Sequence, residues 1–255
     1  MVKGKKISLI IPCRNEEKGI TKLVKSMPKW IDEVIVVDNN SSDKTAQVAK
    51  KAGAVVVKEK KVDHQGIGYG YAHMAGYKKA TGDFIATIDG DDTYPAKDIK
   101  GIVKRMVERH IDFVNCNRHP LLDKDAISFT RRLGTWVLNT ETWLLYGYPT
   151  RDILSGMFIF KKEVKNKLNV KQGGWNLSPE IKLNAISNPE IKYAECHINH
   201  FDREGVSHNQ IWRTGFMHLF YILNKRFTED AVRFNLFLNY FRDAIKFNGL
   251  STAAV

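Results

Sequence analysis

Three carboxylates arrive within four residues in Asp89-Gly90-Asp91-Asp92, directly after the apolar run Ile85-Ala86-Thr87-Ile88. Asp89 and Asp91 flank a residue without a side chain, so both can turn toward one point and hold a hard divalent cation, Mg²⁺ or Mn²⁺, through oxygen. Such a cation reverses the local sign, bridges two phosphates and absorbs charge as a nucleotide diphosphate leaves. The simpler reading is an acidic turn that stops a strand and caps the helix beginning near Ala96. For an isolated Asp-x-Asp the simpler reading prevails, because the pattern is short. Here the buried strand before it and Pro95 after it favour a metal-diphosphate site, in which Asp91 is also a catalytic candidate.

The elements that must position this cluster follow from the apolar runs. Residues 7–12 predict a first strand, 16–26 a helix, Glu33–Asp38 a second strand, 44–52 a helix and 54–58 a third strand. That alternation specifies an α/β fold with a parallel, right-handed, doubly wound sheet, whose ligands sit at the carboxyl ends of the strands. Cys13-Arg14-Asn15-Glu16-Glu17, after the first strand, holds no glycine, which argues against a dinucleotide-binding fingerprint. Gly66-Ile67-Gly68-Tyr69-Gly70 opens a helix reaching about Ala80, but Tyr71 stands where the third glycine of that fingerprint belongs. The stretch reads either as a loop whose amides approach a donor phosphate or sugar, or as a plain glycine-rich loop. A helix over 96–109 and a strand over Phe113–Asn117 follow.

In 255 residues, 40 basic against 28 acidic side chains leave a formal charge of +12, which points to an anionic partner: phosphate, nucleic acid or a membrane surface. Cys13, Cys116 and Cys196 are an odd, widely spaced set, suggesting neither a disulfide framework nor a zinc ribbon and fitting a reduced, cytosolic setting. Cys196-His197-Ile198-Asn199-His200 is short of ligands for zinc. The apolar run at 7–11 is too short for a secretory signal core, and no stretch is long enough to cross a bilayer. Membrane contact is therefore expected to be peripheral.

Pro12-x-x-Asn15-Glu16 after a strand, Val36-Val37-Asp38-x-x-Ser41-x-Asp43-x-Thr45, Gly82-Asp83 with Asp89-Gly90-Asp91, and Asp152-x-x-Ser155-Gly156 together resemble family 2 glycosyltransferases. Within them the pattern is most similar to dolichyl-phosphate (polyprenyl-phosphate) sugar synthases, from Ile7 to about His208. The resemblance implies a nucleotide-diphospho-sugar transferase (GT-A type) fold over residues 1–210. It implies that Pro12, Asn15, Glu16, Asp38, Asn40, Asp43, Gly66 and Gly90 hold the donor, with metal and diphosphate at Asp89 and Asp91. One departure is Thr93, where mannose synthases of the family often carry Gln as a further metal ligand. A weaker ligand or water is left to complete the shell.

Between Asn117 and Thr150 the chain turns basic and aromatic, with Arg118, His119, Arg131 and Arg132 accompanying Trp136, Trp143 and Tyr146. Guanidinium beside apolar surface suits a lipid with a phosphate head and a hydrocarbon tail; stacking on single-stranded nucleic acid or a plain amphipathic helix are the alternatives. The resemblance favours Arg118, Arg131 and Arg132 as acceptor-phosphate contacts, joined by Arg203 and Ser207 of a segment in which His208 replaces the usual Lys. Asp152 is expected to face the anomeric carbon or a sugar hydroxyl and, with Asp91 and Arg203, to be catalytic. Ser178 reads as a helix N-cap before Pro179, and Glu180 as a sugar or base partner or a complement to the helix dipole. Residues 211–255 form an apolar-aromatic end in which Phe227, Ala231, Phe234, Leu238, Phe241 and Ile245 make one helical stripe, with Arg226, Arg233, Arg242 and Lys246 off it. Such a helix either lies in a membrane interface or packs on its own domain.

The function expected from these features together is metal-dependent transfer of a sugar from a nucleotide sugar to a polyprenyl (dolichyl) phosphate, peripherally on the cytoplasmic face of the membrane, and the resemblance implies that the transfer is inverting. The donor expected is a UDP sugar, glucose or N-acetylglucosamine, or else GDP-mannose. A hydroxyl acceptor on a glycan is the alternative, since Gln210-Ile211-Trp212-Arg213 partly resembles the Q-x-x-R-W acceptor signature, with Thr214 replacing its Trp. A sugar nucleotidyltransferase would need a glycine-rich loop after the first strand. A nucleic-acid binder would be opposed by the carboxylates, and no nucleic-acid partner is expected.

Overall fold

In the computed structural model, which describes residues 1–121, 123, 127–201 and 210–228, strand β1 (Ile7–Cys13) is buried along its whole length. Its alternation sends Leu9 and Ile11 into the core on one face of the sheet and Ile10 into the core on the other, as the two-residue period of a strand requires. Parallel neighbours flank it: β2 (Glu33–Asp38) on one side, with β3 (Val55–Lys58) beyond it, and β4 (Phe84–Thr87) on the other. Past β4 come β6 (Phe158–Lys161), antiparallel to both its neighbours, then β5 (Phe113–Asn117) and β7 (Tyr193–His197), which pair in parallel. The full order is β3-β2-β1-β4-β6-β5-β7. The mostly parallel sheet expected from the apolar runs is present. The edge strand β7 is not visible in the sequence pattern, because its residues are half-exposed and mixed in polarity.

Helices α1 (Glu17–Ser26), α2 (Thr45–Lys51) and α4 (Ile99–Glu108) cover one face; α3 (Tyr69–Lys79) and α6 (Leu177–Ser187) cover the other. In α4 the buried Ile99, Ile102, Val103 and Met106 recur at the spacing of one helical stripe. Each such aliphatic side chain contributes ~1.5–3 kcal/mol when fully buried. A 3-10 turn at Ala96–Asp98 precedes α4, so the α-helix starts later than residue 96. The N-cap position of α6 is held by Asn176, without a side-chain capping bond, and Ser178 falls inside the first turn. The Glu180 carboxylate is turned inward and accepts the amides of Lys171 (3.0 Å) and Gln172 (2.8 Å), fixing a loop instead of meeting a sugar or only a helix dipole.

The long helices α5 (Phe129–Tyr146) and α7 (Ile211–Thr228) pack on each other and on α6, burying Leu138, Leu183 and Ile222 with Ile153. Arg226 is buried, its guanidinium 5.1 Å from the centre of the Tyr146 ring. No described helix is long and apolar enough to cross a membrane. Arg203, Ser207 and the stripe from Ala231 to Ile245, with Arg233, Arg242 and Lys246, lie outside the described residues.

Candidate active site

The strand order reverses between β1 and β4, and there the sheet opens a cleft of about 340 Å³ at its carboxyl edge. Pro12, Cys13 and Arg14 reach it from the end of β1, Asn39 from the end of β2, and Asp89, Gly90 and Asp91 from the loop after β4. Glycine is required between the two aspartates, since a Cβ at Gly90 would lie 2.7 Å from Cys13 Sγ. Burial pushes the Cys13 thiol up, and the charges of Glu16, Asp38, Asp89 and Asp91 push it further. Four carboxylates thus act on one buried point, which is a potential that a cation would offset.

The residues present suit Mg²⁺ or Mn²⁺. Tyr69, the first residue of α3, donates its hydroxyl to Asp89 Oδ1 (3.1 Å), and Thr93 donates its own to Asp91 Oδ1 (2.8 Å). Thr93 therefore orients a carboxylate at the position where the resemblance would place a further ligand. His200, from a distant part of the chain, lines the cleft edge-on to Tyr94 at 5.1 Å, and its Nδ1 is buried without a hydrogen-bond partner. Burial, aided by the charge of Arg118 and opposed by Asp91, lowers its pKa to about 4, leaving the ring neutral at neutral pH. Among the described residues no group of three His, Cys, Asp or Glu side chains is placed to hold a metal ion. An ion of this kind needs only one or two carboxylates when phosphate oxygens and water fill its remaining positions.

Asp152 corrects an expectation. It is fully buried, is absent from the cleft lining, and is gripped by Arg118: Nε to Oδ2 at 2.6 Å, Nη2 to Oδ1 at 2.9 Å and the Arg118 amide to Oδ2 at 3.1 Å. Burial alone would raise its pKa, but the charge and hydrogen bonds of Arg118 outweigh burial and hold it at about 2. It is Arg118 that reaches the cleft wall, together with Arg131 of α5. Arg132 is not in that wall; its guanidinium lies 5.9 Å from the Phe129 ring centre.

Of the residues expected to hold the donor, Pro12, Glu16, Asp89, Gly90 and Asp91 line the cleft. Asn15, Asp38, Asn40, Asp43 and Gly66 stand outside its lining and brace the loops around it. Asn15 Oδ1 accepts the Ser42 amide (2.8 Å) and Asp38 Oδ1 the Ser41 amide (3.2 Å). Asp43 accepts the amides of Thr45 (2.9 Å) and Glu17 (3.1 Å). Asn40 donates to the Lys60 carbonyl (2.8 Å), and the Gly66 carbonyl accepts from Arg14 (3.2 Å). Sequence reasoning missed Asn39, Tyr69, Tyr94, Trp175 and His200. For Tyr69 a signal existed, its place at the helix start after the glycine pair; the others are brought in by tertiary structure.

Comparison with known proteins agrees with this geometry. Residues 8–168 match the family described as Glycosyl transferase family 2. The chain is 29% identical over 227 residues to a dodecaprenyl-phosphate galacturonate synthase of Rhizobium johnstonii, covering 84% of this chain and 64% of that protein. It is 24% identical over 224 residues to a low-salt glycan biosynthesis hexosyltransferase of Haloferax volcanii, covering 85% of this chain but only 53% of that longer protein. Among solved structures, glucosyl-3-phosphoglycerate synthase of Mycobacterium tuberculosis in complex with UDP superposes with a TM-score of 0.67 at 20% identity, over 88% of this chain and 80% of that one. The same enzyme with Mn²⁺, UDP and glucosyl-3-phosphoglycerate gives 0.64 at 22% identity, over 88% and 80%. These likenesses, at low identity, establish the GT-A fold. With the family match spanning well over half its length and the carboxylate pair set at the switch point of the sheet, the chain belongs to glycosyl transferase family 2.

Proposed function

We propose that this chain transfers a sugar from a nucleotide-diphospho-sugar to a polyprenyl phosphate, with inversion and with a bound Mg²⁺ or Mn²⁺. The observation that carries this reading is that one cleft is lined both by Asp89 and Asp91, suited to a metal-bound leaving group, and by Arg118 and Arg131, suited to an anionic nucleophile. A metal held by Asp89 and Asp91 would neutralise charge on the departing diphosphate. Arg118 and Arg131 then hold the acceptor phosphate against the sugar, with Arg203 and Ser207 completing its contacts, and offset the repulsion between two phosphates. A phosphate monoester has a second pKa near ~6, so it attacks as a dianion and needs no strong base. A hydroxyl acceptor would need one. The state of Asp152, ionised and clamped by Arg118, makes it a poor base and supports the phosphate reading.

A lipid acceptor also accounts for the outer faces of α5 and α7. Trp136 (64% exposed) and Leu144 (71%) on α5, and Trp212 (71%), Phe216 and Phe220 (65%) on α7, are apolar yet face solvent. Apart from Lys225 and Arg226, which are buried, the two helices carry Arg131, Arg132 and Arg213 against a single acid, Glu141. Aromatic residues combined with basic ones and almost no acid suit an anionic lipid surface. In this reading α5 joins residues 211–255 as the membrane-contacting part, at the cytoplasmic face. The donor we favour is UDP-glucose or UDP-N-acetylglucosamine, with GDP-mannose second. The test is a panel of radiolabelled nucleotide sugars offered with a polyprenyl phosphate and Mn²⁺, followed by organic extraction. Label in the organic phase with one donor supports the reading; label appearing only on water-soluble glycan acceptors rejects it for the hydroxyl alternative.

A further inference from the structure

Lys182 is fully buried on α6, and its ammonium has no carboxylate in direct contact. Its three donors are all used: Nζ donates to the carbonyl of Ile153 (2.8 Å), the carbonyl of Ser155 (2.6 Å) and Ser178 Oγ (2.9 Å). The Phe158 ring lies 5.6 Å away. A charge removed from water without an ion partner is costly, and a methionine of similar length would pack there without that cost. What the ammonium provides instead is geometry, because it ties two carbonyls of one irregular segment to a rigid helix.

That segment, residues 152–156, joins the two halves of the site. At one end, Asp152 clamps Arg118 through both carboxylate oxygens, while its own carbonyl accepts from Asn115 (3.0 Å). At the other end, Gly156 donates its amide to Tyr94 Oη (2.7 Å), and its carbonyl accepts from Thr87 (2.9 Å). Gly156 also abuts the Asp89 carboxylate, leaving no room for a Cβ. Between these ends stand Ile153 and Ser155, the two residues that Lys182 holds. Any slack in them changes the separation between the guanidinium and the metal-side carboxylate.

We propose that Lys182 is a positioning residue for glycosyl transfer, pinning residues 152–156 to α6 so that Arg118 and Asp89 keep the spacing that in-line attack requires. The inference rests on the acceptor role given to Arg118 above. Lys182 touches neither substrate; it acts through the segment. A reacting pair misplaced by about 1 Å can lose ~100-fold in rate, whereas binding of either substrate alone needs no such registry.

The test compares Lys182→Met with the wild type in two measurements. In the first, amide hydrogen exchange should speed up at residues 153–156 in the variant and stay unchanged in β1. In the second, with the donor active in the panel, transfer to polyprenyl phosphate should fall ~10–100-fold, while donor hydrolysis without acceptor and Mn²⁺-dependent UDP binding stay close to wild type. The ratio of transfer to hydrolysis is the decisive quantity, because a general loss of folded protein lowers both together. Combining Lys182→Met with Asp152→Asn should add little to the worse single variant, as both release the same segment. Should Lys182→Met not fold, Lys182→Gln, which retains two donors, should show an intermediate ratio. Unchanged exchange at 153–156, or an unchanged transfer-to-hydrolysis ratio with faster exchange, overturns the proposal. If the wild type binds UDP and Mn²⁺ but glycosylates no polyprenyl phosphate, the acceptor reading fails. The exchange measurement then still decides whether Lys182 is the pin, and the ratio is taken with whichever acceptor the enzyme uses.

Discussion

Gly156 stands directly against the carboxylate of Asp89: a Cβ placed on Gly156 would lie 2.4 Å from Oδ2 and 2.8 Å from Oδ1. Tyr69 holds Oδ1 from another side. The orientation of Asp89 is thus set by a missing methyl group as much as by a hydrogen bond. Gly156→Ala should push the carboxylate away from its present position. Groups that orient a metal ligand typically change affinity by ~10–100-fold when altered, so the Mn²⁺ concentration giving half-maximal activity should rise by that order. A metal titration checks this, and an unchanged half-saturation in a folded Gly156→Ala protein would show that the cradle is irrelevant.

Removing the proposed ligands should have a different signature. Asp91→Asn keeps a hydrogen-bond acceptor for Thr93 but loses charge, so the fold should hold while Mn²⁺-dependent UDP binding and turnover are lost. EDTA should do the same to the wild type, and added Mn²⁺ should restore only the wild type. Full activity in chelator would exclude a metal at this carboxylate pair.

How much of this site was legible in the sequence depended on distance along the chain. Asp89 and Asp91 could be read because the strand, the glycine and the carboxylates are contiguous, so one local pattern holds the whole argument. The same is true of β1, β2 and β4, whose apolar runs mark them as buried on both faces. Asp152 could not be read, since Arg118 claims it from another segment, and a side chain that looks available in sequence is already paired in space. His200 and Tyr94 meet at the cleft from segments far apart in the chain, and nothing in either neighbourhood announces the meeting. Lys182 breaks the apolar pattern of α6 and would be taken for a solvent-facing residue. Its burial becomes sensible only once the carbonyls of Ile153 and Ser155 are in place.

The same lysine should make stability depend on pH in the alkaline range. Burial lowers its pKa from 10.5 to about 7, with Asp152, Glu195 and Asp89 opposing that shift and Arg118 adding to it. His73 and His218 nearby have their pKa values lowered to about 3, chiefly by burial, and are uncharged in this range. Between pH 7 and 10.5 the unfolded chain therefore binds a proton at this position that the folded chain has largely released, the neutral amine keeping its two donors on the carbonyls of Ile153 and Ser155 while the Ser178 hydroxyl donates to Nζ. The difference in protons bound, unfolded minus folded, is positive, so this group makes stability rise with pH, by up to about 1.4 kcal/mol per pH unit. Urea unfolding at several pH values from 7 to 10 should show that contribution in the wild type and lack it in Lys182→Met. Parallel pH profiles for the two proteins would mean that the lysine keeps an ordinary pKa.

The exposed faces of α5 and α7 give the last prediction. Both helices bury one side in a shared cluster, Leu138 against Ile222, while the other side presents tryptophan and phenylalanine to water. Replacing Trp212 and Phe216 with Glu alters only that outer side, and it adds two negative charges to a helix that has no acid of its own. Wild-type protein should sediment with vesicles containing phosphatidylglycerol, less so with phosphatidylcholine alone. Binding should weaken as salt rises, because attraction to lipid charge is screened over ~10 Å at 0.1 M ionic strength. The Trp212→Glu, Phe216→Glu protein should stay in solution while still binding UDP with Mn²⁺, which separates loss of docking from loss of fold. Sedimentation velocity without lipid distinguishes the other occupant of such a surface: a wild-type dimer that the double variant converts to monomer, with no vesicle binding by either, would assign these faces to a second copy of the chain.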